Sequence, residues 1–373
     1  MTKIASLLLV LAACGDNGKK SPDAAPPDAP PPPPRAIVVA GDFTAGQPGI
    51  LSVLDLTTKT VMQNVGPAMA VDDDPVIRKI GHELFVINRA ANNVTILDAN
   101  DLHLVEQIGT GAASNPQDVA VVGNKLYVPT FGTKGLTVLT RGSTATTEID
   151  LSADDPDGKP NCNSIYAVGN DLYVSCEILD NTQQFLPPRG PGKIYIVDPT
   201  TSTVKTTLTL ATVNPFGLLE QVPPGPLTGD DLLIPTVKFA DGTGCIEEIG
   251  TKGTPTAKGC IVDNSKLGGY ASRVDFDAEA GTVVMFASVP APDFKHAALR
   301  GFDMQTLALW AAPLNPMTEV IGDLALCPEG VIVVADTTMN TNGLRIYQGT
   351  AEVTTAPLPI GLPPTSAHGI VCY

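Results

Sequence analysis

The chain has 373 residues, 43% of them hydrophobic and 17% charged, a balance that excludes both a disordered chain and a polytopic membrane protein. Its 35 Gly and 34 Pro exclude a helical bundle, since each interior Pro costs a helix about 3 kcal/mol, and favour many short strands. A formal net charge of −16 repels phosphate backbones, so nucleic acid is not an expected partner.

The chain opens with a single basic residue, Lys3, then the apolar run Ile4, Ala5, Ser6, Leu7, Leu8, Leu9 and Val10, a pattern of export signals too short to span a bilayer. Leu11, Ala12, Ala13 and Cys14 follow, and they resemble the lipobox of bacterial lipoproteins. The resemblance implies cleavage after residue 13, a lipid on Cys14 and anchoring to a membrane of the cell envelope. Gly15 stands where an inner-membrane retention signal would carry Asp, which favours the outer membrane. Residues 21–34 read SPDAAPPDAPPPPP, a polyproline II spacer without a core. The expected organisation is a signal peptide over 1–13, a lipidated tether over 14–35 and one folded domain over 36–373.

Within that domain a short apolar strand recurs seven times, beginning at Ile37, Leu84, Leu126, Leu172, Leu232, Val283 and Ile332, with starts 42 to 60 residues apart. All copies but the first follow a second alternating strand, such as Pro75-Val76-Ile77, Ile165-Tyr166-Ala167 or Phe216-Gly217-Leu218, with which they form a hairpin. Third strands follow, clearest in Val94-Thr95-Ile96-Leu97, then weaker fourth strands rich in Thr and Val. Residues 365–372 supply the strand that the first copy lacks. The expected fold is all-β, a seven-bladed β-propeller closed by insertion of the C-terminal strand into the first blade. Two packed β-sandwiches also fit the strand spacing.

Leu84-Phe85-Val86-Ile87-Asn88 through Leu97-Asp98, and Leu126-Tyr127-Val128-Pro129-Thr130 through Leu139, are similar to the YVTN-type propeller repeats of bacterial surface and periplasmic proteins. The similarity covers blades two to four well and five to seven loosely. It implies a fold rather than an activity.

Without Cys14 there remain six cysteines, an even number for an exported chain. Cys162 and Cys176 lie symmetrically about Gly169, and Cys245 and Cys260 about residues 252–253, so each pair suits a hairpin bridge. Cys327 and Cys372 are left to join blade seven to the closing strand.

No nucleophile-elbow, zinc-protease or phosphate-loop motif occurs. Gly190-Pro191-Gly192-Lys193 only superficially resembles the last of these and reads as a turn. In a propeller, the crossings into each inner strand and the loops after each second strand share one face. That face collects Asp74, Asn88, Arg89, Asp118, Asn163, Arg273, Asp323 and His368 as candidate binding residues around a mostly acidic mouth. No cofactor is expected; calcium is the one ion such a rim suggests, aided by the acidic run at 154–157, and the metal content is otherwise unknown. The long insertion at 177–192, with Phe185, Leu186 and Arg189, is a candidate contact for an envelope protein partner. The expected function is a non-catalytic, membrane-anchored binding or scaffolding protein, the alternative being a metal-dependent lactonase-like hydrolase with its site in the channel.

Overall fold

Side chains alternate between the two sides of a strand, and in this chain both sides are buried. In the strand Arg35–Ala40, Ile37 and Val39 pack into one apolar cluster while Ala36, Val38 and Ala40 pack into another. The computed structural model describes residues 33–44, 46–224, 230–279, 282–290, 295–366 and 368–373. Among them lie seven four-stranded antiparallel sheets. Seven apolar clusters fill the spaces between sheets, each drawing on two sheets consecutive in the chain, and one joins the last sheet to the first. The result is a closed seven-bladed propeller, and the sandwich alternative is excluded.

Blade two shows the plan: Pro75–Ile80, Glu83–Asn88, Asn93–Asp98 and Leu104–Gly109, in that order across the sheet. The inner strands of blades three to seven are Ala120–Val122, Cys162–Val168, Glu220–Gln221, Arg273–Glu279 and Ile321–Cys327. Blade one takes its inner strand from the other end of the chain. Ile370–Cys372 pairs with Arg35–Ala40, with Val38 opposite Ile370.

Three expectations need correction. Phe216-Gly217-Leu218 is not the inner strand of blade five. Gly217 has φ +120°, Asn163 Nδ2 donates to the carbonyls of Pro215 and Gly217, and ladder pairing begins only at Glu220. Gly190 to Lys193 is not a free turn, because the third strand of blade four starts at Pro191. The first strand already includes Arg35, assigned above to the tether. The proposed signal peptide and Cys14 lie outside the described residues.

All three expected disulfides are formed: Cys162–Cys176, Cys245–Cys260 and Cys327–Cys372. Cys162 stands directly opposite Cys176 in the ladder, whereas Cys245 lies diagonal to Cys260, whose partner is Glu247. Three bridges in one domain mark an exported protein. Cys327–Cys372 spans 45 residues and fastens blade seven to the closing strand. Replacing both of these cysteines by Ala is expected to lower the unfolding free energy by about 2–4 kcal/mol, through the loop-closure entropy that returns to the unfolded chain. Urea denaturation measures it; an unchanged midpoint would show that the seam is held without the bridge.

Candidate functional site

One backbone contact repeats around the ring. The amides of Arg89, Phe131, Glu177 and Val237, each just past a second strand, donate to the carbonyls of Asp74, Asn115, Asn161 and Asn214, each just before an inner strand, at 3.0–3.2 Å. This bond draws four blades' connections to the same end of the propeller. There a cavity of about 370 Å³ is lined by the polar residues Asp74, Arg89, Asn115, Gln117, Glu177 and Asn214. Phe131, Leu179, Phe185, Leu186, Phe216 and Phe239 also line it. A smaller cavity of about 80 Å³ shares Arg89, Gln117, Glu177 and Phe216 with the first, and adds Asn163, Ser272 and His368.

Glu177 is the least expected member. It is buried, and its carboxylate has no hydrogen-bond partner among the described residues. Burial alone pushes its pKa up to about 8. A carboxyl group titrating there suits proton transfer near neutral pH.

His368 is also buried, in the left-handed region at φ 50°. Gly369 follows, where any Cβ would strike Thr365. His368 Nδ1 lies 2.7 Å from Arg273 Nη1. Because a guanidinium can only donate, Nδ1 accepts and the ring proton belongs to Nε2. Burial, reinforced by Arg273, Arg78 and Arg89, holds the pKa well below the usual histidine range, so the ring is neutral. Its Nε2 has no partner among the described residues.

Behind His368 runs a buried ionic chain. Arg78 is bidentate to Asp118 at 2.7 and 3.0 Å and reaches Glu220 at 3.1 Å. Glu220 also binds Arg273, whose Nε lies 3.5 Å from Asp323. Burial opposes the ionisation of Glu220, but Arg273 and Arg78 outweigh it and bring its pKa below the ordinary value. Burial raises Asp275 to about 6 against the pull of Arg273.

The residues named from sequence therefore divide. Asp74, Arg89, Asn163 and His368 line the cavities, with Asp74 ion-paired to Arg89. Asp118, Arg273 and Asp323 belong to the ionic chain beyond them. Asn88 is not at the mouth: it is buried within blade two, donating to the carbonyl of Ala70 and to Asn93 and Thr95. Phe185 and Leu186 form part of the cavity wall, while Arg189 pairs with Asp180 at 2.6 Å and Asp157 at 3.1 Å, strapping the 177–192 insertion down.

The mostly acidic mouth is corrected too, since Arg78, Arg89 and Arg273 offset the carboxylates. Of the oxygens near the mouth, those of Asp118 and Glu220 hold guanidinium groups and Asp157 is committed to Asn181 and Arg189, whereas Oδ1 of Asn163 and of Asn214 has no hydrogen-bond partner among the described residues. Glu177, Arg78, Glu220 and Phe216 are not among the binding residues expected from sequence. The signal for Glu177 was positional, because it follows the second strand of its blade as Arg89 follows that of blade two.

Since its folded pKa exceeds the ordinary 4.5, Glu177 supplies stability that is complete below that value and lost as pH rises through about 8. The melting temperature of Glu177→Gln should accordingly fall less than that of the wild type between about pH 5 and 9. Parallel melting curves would show that the carboxyl group is ordinarily solvated.

No protein-family model and no curated protein matches the chain. Solved structures do. The periplasmic gluconolactonase PpgL of Pseudomonas aeruginosa superposes with a TM-score of 0.60 at 14% identity, covering 91% of this chain and 99% of that one. A "putative 6-phosphogluconolactonase" of Bacteroides uniformis gives 0.63 at 12% identity over 91% and 99%. Another so described, from Bacteroides fragilis, gives 0.60 at 12% over 91% and 98%. At such identities the likeness shows the fold alone.

Proposed function

We propose that the protein is a lactonase-type hydrolase, and this replaces the non-catalytic scaffold expected from sequence. Two findings turn the reading over. Full-length structural neighbours carry the names of lactonases, and the channel mouth holds a buried, unpaired Glu177 beside Arg89 and His368. The carboxyl group is the observation that carries the proposal, because a scaffold gains nothing from burying an unpaired acid.

The step is written with the chain's own residues. Ionised Glu177 takes a proton from a water molecule as the water oxygen bonds to the lactone carbonyl carbon, and the carbonyl π electrons move onto oxygen. The guanidinium of Arg89 and the Nε2–H of His368 stabilise that oxyanion. Collapse re-forms the carbonyl and breaks the bond to the ring oxygen, which receives the proton from Glu177, giving an open hydroxy acid. Arg273 is a positioning residue, fixing the His368 tautomer through Nδ1.

Hydrolysis of δ-lactones followed in a pH-stat should show kcat rising with pH through about 8, and Glu177→Gln should lower kcat by about 10²-fold or more with the fold intact. Undiminished turnover in that variant would refute the assignment. We further propose that the exported chain is tethered through a lipid on Cys14, with the outer membrane as its address. Mass spectrometry of the mature N-terminal peptide should find a diacylglyceryl cysteine there; an unmodified Cys14 would exclude the anchor.

A further inference from the structure

The larger cavity mixes polar and apolar lining. Besides Glu177 and Arg89 it is lined by Phe131, Leu179, Phe185, Leu186, Phe216 and Phe239. The aromatic part is a constructed feature. Phe216 lies in the crossing into blade five, Phe239 follows that blade's second strand, and Tyr270 lies in the crossing into blade six. Their rings meet edge to face, with centroids 5.2, 6.0 and 5.4 Å apart. Phe239 is nevertheless 52% exposed, so a large apolar surface is held rigidly on the wall of a concave site.

This wall discriminates among lactones. A polyhydroxylated lactone lying on these aromatic rings would turn hydroxyl groups toward side chains that can neither donate nor accept, and unpaired buried hydroxyls are costly. A phosphorylated one fares worse. Arg89 is the single cation among the described residues lining the cavity, and Asp74 already binds it. Glu177 and the net charge of −16 oppose a further anion. We propose, on the basis of the lactonase reading, that the substrate is an uncharged lactone bearing an aryl or alkyl substituent. The ester lies between Glu177 and Arg89, and the substituent rests on Phe216 and Phe239.

Three δ-lactones test this: dihydrocoumarin, δ-gluconolactone and 6-phospho-δ-gluconolactone. The expected kcat/KM is highest for dihydrocoumarin, by about 10-fold or more over gluconolactone, and lowest for the phosphorylated compound. Phe239→Ala, a change at a half-exposed side chain, should raise KM for dihydrocoumarin about 10-fold and narrow the preference for it over gluconolactone by a similar factor. Preference for either sugar lactone, or an equal effect of Phe239→Ala on all three, would overturn the substrate class while leaving the hydrolase intact. Failure of the hydrolase reading looks different, with none of the three turned over. Calorimetry on Glu177→Gln then still decides the pocket's preference. Binding of the lactam analogue of dihydrocoumarin more tightly than gluconolactam supports it, and equal or no binding overturns it.

Discussion

The inner strands of a propeller turn one edge toward the central channel, and the backbone groups along that edge must find partners. Here each blade offers side chains to the next. Asp118 of blade three accepts from the Ile165 amide and the Ser164 hydroxyl of blade four, and Ser164 in turn accepts from the Leu219 amide of blade five. Asp275 of blade six accepts from Leu326 N of blade seven, and Asp323 of blade seven accepts from the amides of Gly369 and Ile370 at the closing strand. The His368 carbonyl receives the Ile77 amide of blade two. A polar collar thus holds the blades in register from within, while the apolar clusters hold them from between.

The same collar shapes the site. Removing Asp118 and Asp323 from water is costly, and a buried carboxylate survives only with good partners. Arg78 and Arg273 supply them, and in doing so they occupy the channel behind His368. Lacking such a partner, Glu177 is the one that burial alone drives toward its neutral form. The contrast between carboxylates that share guanidinium groups and one that has none is the ground on which the hydrolase proposal stands.

What the sequence disclosed follows from the physics of each signal. Period-two alternation and the symmetric placement of Cys162 and Cys176 are local, so blade count, closure and bridges could be read directly. Phe216 to Leu218 misled because its residues suit a strand, while the contact that prevents one comes from Asn163, in another blade. Arg78 and Glu220 stand 142 residues apart, and only ring closure brings them together. Asn88 and Arg89 are neighbours in sequence, yet strand alternation sends one into the blade and the other to the cavity. Burial, the property that distinguishes Glu177, is a property of the assembled ring and has no counterpart in the order of its residues.

Pairing of the first strand with the last residues has a consequence for biosynthesis. Val38 emerges from the ribosome long before Ile370, its partner in the finished sheet. Until Ile370 is made, one edge of the opening sheet has no mate, a state open to aggregation or to pairing with a stray chain. Circular architecture therefore makes closure of the ring wait for that strand, and gives chaperones a defined segment to guard until then.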